Sequence, residues 1–159
     1  MGNDAIRFSS SPALGGTATV VEIKPDKQQL YLVTVSYLEG HPSLGWDKWG
    51  GFHFLINSGD FNWLLQKIEA AERDGASRDS LTEGVDIVVC ADGPGYLSEI
   101  RSKRKSRWIS GFCGSNPNNT IALLMARLVR YGTSTFLKSL ERSPSVRLQD
   151  EPDLPSDAK

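Results

Sequence analysis

Residues 30–38 read LYLVTVSYL, and no other stretch constrains the fold as much. β-branched, aromatic and other apolar types dominate it, and an extended chain turns successive side chains to opposite sides, so the segment is predicted to be a strand. Leu30, Leu32, Thr34, Ser36 and Leu38 then share one face, and Tyr31, Val33, Val35 and Tyr37 the other. Both faces carry apolar residues, so both are expected to be covered at least in part. Neighbours for this strand are at hand. Thr17–Ile23 (TATVVEI) alternates in the same way, Pro25-Asp26-Lys27 supplies turn chemistry, and Phe52–Ile56 (FHFLI) reads as a third strand.

Helical spacing follows. Asn57 and Ser58 suit a helix cap, Asp60 suits the first turn, and Phe61, Leu64, Leu65 and Ile68 recur on one stripe. Gly75 is expected to stop this helix, with a polar connector over 76–84. The second half repeats the order. Val85–Cys90 is predicted to be a strand, Asp92-Gly93-Pro94-Gly95 a turn, and Tyr96–Arg101 and Arg107–Phe112 two further strands joined at Lys103-Arg104-Lys105. Asn116 then caps a helix with Pro117 at its first position, and Ile121, Leu124, Met125, Leu128 and Tyr131 form its apolar stripe. Gly132 is expected to end it, and Thr133–Leu140 to add a short further helix.

The fold class expected is α+β: antiparallel β-meanders backed by helices, with the order β-β-β-α occurring twice. The two units, 17–75 and 85–142, make a single domain over 17–142. Residues 1–16, with Ser9-Ser10-Ser11-Pro12 and Gly15-Gly16, lack periodicity and are expected to be a flexible lead-in. Residues 143–159 carry three Pro and four acids and few large apolar groups, so a disordered acidic tail is expected. In element order alone, the duplicated units resemble those of the single-strand-binding transcription cofactor, Whirly and Pur families. Residues 61–131 follow the order of the double-stranded RNA-binding domain, though the second helix opens Asn116-Pro117-Asn118-Asn119-Thr120, without that family's lysine cluster.

With 159 residues, 39% of them hydrophobic, the chain has material for one core. No apolar run approaches the roughly 20 residues of a membrane span, and no secretory signal is read at the N-terminus. Two cysteines, Cys90 and Cys113, make neither a disulfide framework nor a four-ligand zinc site. A reduced, cytoplasmic protein without metal or cofactor is expected. The net charge of −1 hides uneven blocks. Residues 1–84 carry 7 basic and 11 acidic groups, 85–147 carry 10 and 4, and 148–159 carry 1 and 4. A basic segment of this kind can meet a polyanion although the whole chain is near neutral, because the local field governs encounter.

Three groups of residues carry candidate chemistry. Arg101, Lys103, Arg104, Lys105 and Arg107 put five cations in seven positions, followed by Trp108, and Arg127 and Arg130 lie on the next helix. Cations meet phosphates and an indole stacks on a base, so nucleic-acid binding is the leading expectation, with a solvated turn as the plainer alternative. The second group is His41, Trp46 and Trp49 in a Gly-rich stretch from Glu39 to Gly51, expected to be a loop. As an exposed anchor it would suit a small protein-binding inhibitor of the immunity, antitoxin or phage anti-defence type, with one protein partner. Otherwise both indoles fold back over the core or a sheet edge, which the average burial of Trp favours. The third is Cys113 ahead of a helix, where a thiolate is stabilised, but neither His41 nor His53 is tied to it by spacing. A binding module rather than an enzyme is therefore expected. Meanders leave edge strands, so a homodimer is a further expectation.

Overall fold

The computed structural model describes residues 4–12, 15–41, 43–79, 95–102, 105–112, 118–141 and 147–150. Strands β1 (Ala5–Ser11), β2 (Gly16–Pro25), β3 (Leu30–His41) and β4 (Gly45–Asn57) precede helix α1 (Ser58–Asp79). Strands β5 (Gly95–Ser102) and β6 (Lys105–Phe112) precede helix α2 (Asn118–Glu141). All six strands are antiparallel neighbours in one sheet, ordered β4-β3-β2-β1-β5-β6. The class is α+β, as expected. The β-β-β-α order is met only in part: four strands come before α1, and two described strands before α2. The strand expected at Val85–Cys90 lies outside the described residues.

The first correction concerns the N-terminus. Ala5–Ser11 is not a flexible lead-in but a central strand, paired with β2 on one side and β5 on the other. Ile6 and Phe8 alternate with Arg7 and Ser9. They meet Ile23 and Val21 across one ladder and Ile100 and Ser98 across the other. Two inward apolar residues suffice here, because both strand edges find backbone partners.

Inward-facing positions in register across the sheet build the core: Ile6 and Phe8, Val21 and Ile23, Val33 and Val35, Ile56, and Ile100. Both helices lie on this side. The cap on α1 forms as expected: Asn57 Oδ1 accepts the Asp60 N–H at 2.9 Å, and Asn57 Nδ2 donates to Asp60 Oδ2 at 3.0 Å. Phe61, Leu64, Leu65, Ile68 and Ala71 are buried on one stripe, and the Phe61 ring stacks on Tyr31 with centroids 3.8 Å apart. Gly75 does not stop α1, which continues to Asp79. One helical glycine costs only about 1 kcal/mol relative to alanine, too little to end a helix anchored along a whole face.

Nor does Gly132 end α2; a single helix runs on to Glu141. A Cβ at Gly132 would collide with the Phe54 ring, so this glycine makes room for that side chain of β4. At the C-terminal end, Leu148 is fully buried, which corrects the expectation of a disordered tail for 147–150. Gln149 bonds to the Asp60 carboxylate and Arg147 lies near it. Burial raises the Asp60 pKa above the ordinary value, against the opposing pull of Arg147, Gln149 and Asn57. Residues 142–146 and 151–159 lie outside the described residues.

Candidate nucleic-acid interface

The side of the sheet away from α1 and α2 carries no described helix. On β3, Leu32, Thr34, Ser36 and Leu38 face this way and are half-buried, whereas Val33 and Val35 on the other face are buried. Strand register sets the pattern of this outer face. His53, Thr34, Glu22, Arg7, Glu99 and Trp108 stand in one row across all six strands. The adjacent row is Gly51, Ser36, Val20, Ser9, Leu97 and Ser110.

Charges in the first row interlock with those beside it. Arg7 Nε lies 3.6 Å from Glu22, and Lys24 Nζ 3.2 Å from the same carboxylate. Arg101 donates to Glu99 Oε1 through Nε at 2.9 Å and approaches the same oxygen through Nη2 at 2.8 Å. The cations are exposed, so each pair contributes little to stability, on the order of 1 kcal/mol or less. They shape the surface more than they hold it. At the β6 end, Arg7, Ser9, Leu97, Glu99 and Trp108 line an open cleft of about 180 Å³. The Trp108 indole, 61% exposed, is one of its walls. Leu97 adds an apolar surface, Arg7 a guanidinium and Glu99 a carboxylate.

The basic cluster expected from the sequence is divided. Arg101 and Trp108 belong to the outer face. Arg107, one residue away from Trp108, points to the helix side and donates to Glu72 of α1 through Nε and Nη2, both at 2.9 Å at their shortest, with Glu69 at 4.0 Å. These bonds raise the Arg107 pKa above its ordinary value despite partial burial. Arg127 lies over the Trp63 ring at 5.7 Å, with Lys67 at 5.9 Å, and Arg130 lines a cavity between α2 and the sheet. Neither therefore extends a patch on the Trp108 side. Lys103 and Arg104 lie outside the described residues, and Lys105 opens β6 in register with Ser102.

The second group is also rearranged. Glu39–Gly51 is not a loop but the end of a long hairpin, in which β3 and β4 stay paired out to His41 and Gly45. His41 Nδ1 accepts from the Ser43 N–H at 3.2 Å and lies 2.6 Å from the Ser43 hydroxyl oxygen, across the turn. A bulge beside Tyr37 and Leu38 reverses the side to which β4 residues point. Trp49 stacks on Tyr37 of the helix side, centroids 5.6 Å apart, whereas Trp46 stands opposite Gly40 in the outer register. The two indoles are thus separated by the sheet. Trp46 and Trp108 share a face but lie on β4 and β6, the outermost described strands, which are about 24 Å apart at the ordinary strand spacing, and the register offsets them further along the sheet.

Cys113, Cys90, Asp86 and Asp92 lie outside the described residues. Among the described residues no group of three or more His, Cys, Asp or Glu is placed to hold a metal, and no helix is long and apolar enough to cross a membrane. Sequence reasoning missed Arg7, Leu97 and Glu99. The signal for Arg7 was present in the period-two run Ile6-Arg7-Phe8-Ser9; nothing local announced that β1 would lie beside β5. No family model, curated protein or solved structure matches this chain.

Proposed function

We propose that this chain is a non-catalytic binding protein for single-stranded nucleic acid, which it meets on the outer face of its sheet. One observation carries the reading: Trp108 stands exposed on that face next to Arg7 and Arg101, with Leu97 beside it. An exposed indole gives a base a stacking surface, and guanidinium groups at its side give the backbone phosphates partners. Unpaired strands suit the arrangement better than a duplex, because a flat sheet face reaches bases only when they are splayed from their partners. Glu22 and Glu99 offset part of the local positive charge, so few phosphates are neutralised. With about three contacts, the logarithm of affinity falls with the logarithm of salt at a slope of about −2.

The test is fluorescence anisotropy of labelled single-stranded and duplex oligonucleotides at two salt concentrations. Salt-sensitive binding of single strands, with quenching of indole emission that disappears in Trp108→Ala, is the expected result. Absence of binding at low salt would overturn the reading. A second reading, a protein-binding inhibitor, draws support from the β3–β4 hairpin, where Leu44 is 88% and Trp49 61% exposed. A stoichiometric protein complex lost in both Leu44→Ala and Trp49→Ala would favour it.

A further inference from the structure

Resting on that reading, we infer that the cleft between Trp108 and Arg7 is a nucleobase subsite that takes cytosine in preference to thymine or uracil. The inference comes from the polar groups around the indole. Glu99 is the carboxylate in the cleft, and both contacts from Arg101 fall on Oε1. Its Oε2 has no described donor. A carboxylate can only accept hydrogen bonds, and an oxygen left over beside an aromatic wall suits an N–H group on a stacked ring.

Cytosine presents an amino group at C4, and a carboxylate accepting from that group is a standard base contact. Thymine and uracil present a carbonyl at the same position. Against Glu99 this sets acceptor against acceptor and adds no donor to Oε2. A site built around a hydrogen-bonded N–H rejects the analogue that lacks it more strongly than an apolar pocket rejects a change of size. Arg7 is Glu99's neighbour across the β1–β5 ladder and also lines the cleft, so a donor is at hand for the ring acceptors next to the amino group. Leu97 contributes apolar contact and no competing polar group.

The experiment compares labelled (dC)12 and (dT)12 at pH 7.5 and one moderate salt concentration, using the full chain. The two oligonucleotides carry equal charge and differ at C4, at N3 and by the C5 methyl of thymine, so (dU)12, which lacks the methyl, is run beside them and should bind like (dT)12. The expected result is tighter binding of (dC)12 by roughly five-fold or more, in line with the discrimination one good base contact provides. In Glu99→Gln, whose amide can donate as well as accept, the ratio should fall toward one while (dT)12 affinity holds or rises. Trp108→Ala should weaken both oligonucleotides together. Equal binding of the two by the wild-type chain, or a ratio unchanged in Glu99→Gln, overturns the subsite and leaves nucleic-acid binding intact. Failure of both oligonucleotides to bind overturns the underlying reading as well. A folded Glu99→Gln protein, checked by circular dichroism, is required; Glu99→Asp, which keeps the charge but shortens the reach, is the second variant and should also reduce the ratio.

Discussion

The two faces of this sheet are made from the same strands, often from adjacent residues, and they differ in burial and in chemistry. On the helix side, Ile6, Val21, Val33 and Ile100 are buried under α1 and α2, and their contribution is to stability. On the outer side, Arg7, Glu22, Thr34 and Glu99 interleave with them one position along; Arg7 pairs with Glu22, and Glu99 with Arg101. Trp108 and Arg107 condense the contrast into neighbouring residues: one indole exposed, one guanidinium bonded to a helix. The core and the proposed binding face are thus a one-residue step apart along a strand, because side chains in a strand alternate.

The contrast can be broken from the inside first. Phe61→Ala removes the ring stacked on Tyr31 and leaves a cavity under α1, so a loss of about 3–5 kcal/mol is expected in denaturant unfolding. Gly132→Ala drives a methyl group into Phe54 and forces α2 away from β4, with an expected loss of about 1–3 kcal/mol. A thermal midpoint equal to wild type would show that the helix shifts freely, contrary to the close packing described.

Asp60 sharpens the comparison through pH. Its pKa is raised in the folded chain, chiefly by burial, so the native state holds this proton more tightly than the unfolded state. The associated stability is present below the unfolded value and is lost as pH rises through the folded one. The stability of wild type relative to Asp60→Asn should therefore be greatest in acid and decline toward neutrality. A difference that stays flat with pH would show that burial does not perturb this carboxyl. The smallest effect is expected on the outer face: Leu55→Ser, at an exposed position, should change stability by about 0.5 kcal/mol or less. A large loss would mean that this face is covered in solution, for instance by a second copy.

Legibility in the sequence followed the same division. Strand β3, the Asn57 cap and the stripes of both helices were readable, because each depends on residues close in sequence. Gly75 and Gly132 mislead for one reason: a glycine reads locally as a stop, while packing along the rest of the helix outweighs its intrinsic cost. The Glu39–Gly51 stretch was misread because glycines and tryptophans, poor loop or strand markers in this mixture, are accommodated by a bulge whose only local sign is Gly51, at φ +156°. The cleft was half-legible. Trp108 and Arg101 stood out by type and spacing; Arg7 and Glu99 acquired meaning only through pairing.

By itself, the sequence determined the α+β class, the positions of the helices and the alternation that gives each strand two unlike sides. Those properties follow from periodicity and capping, which act over a few residues. Tertiary structure alone decided that β1 sits in the centre of the sheet and joins the two halves, that both helices share one face, and that Arg107 and Trp108 part company. Each of these depends on backbone hydrogen bonds and side-chain contacts between segments far apart in the chain, such as Ile6 with Ile100 and Arg107 with Glu72, whose partners no local pattern specifies.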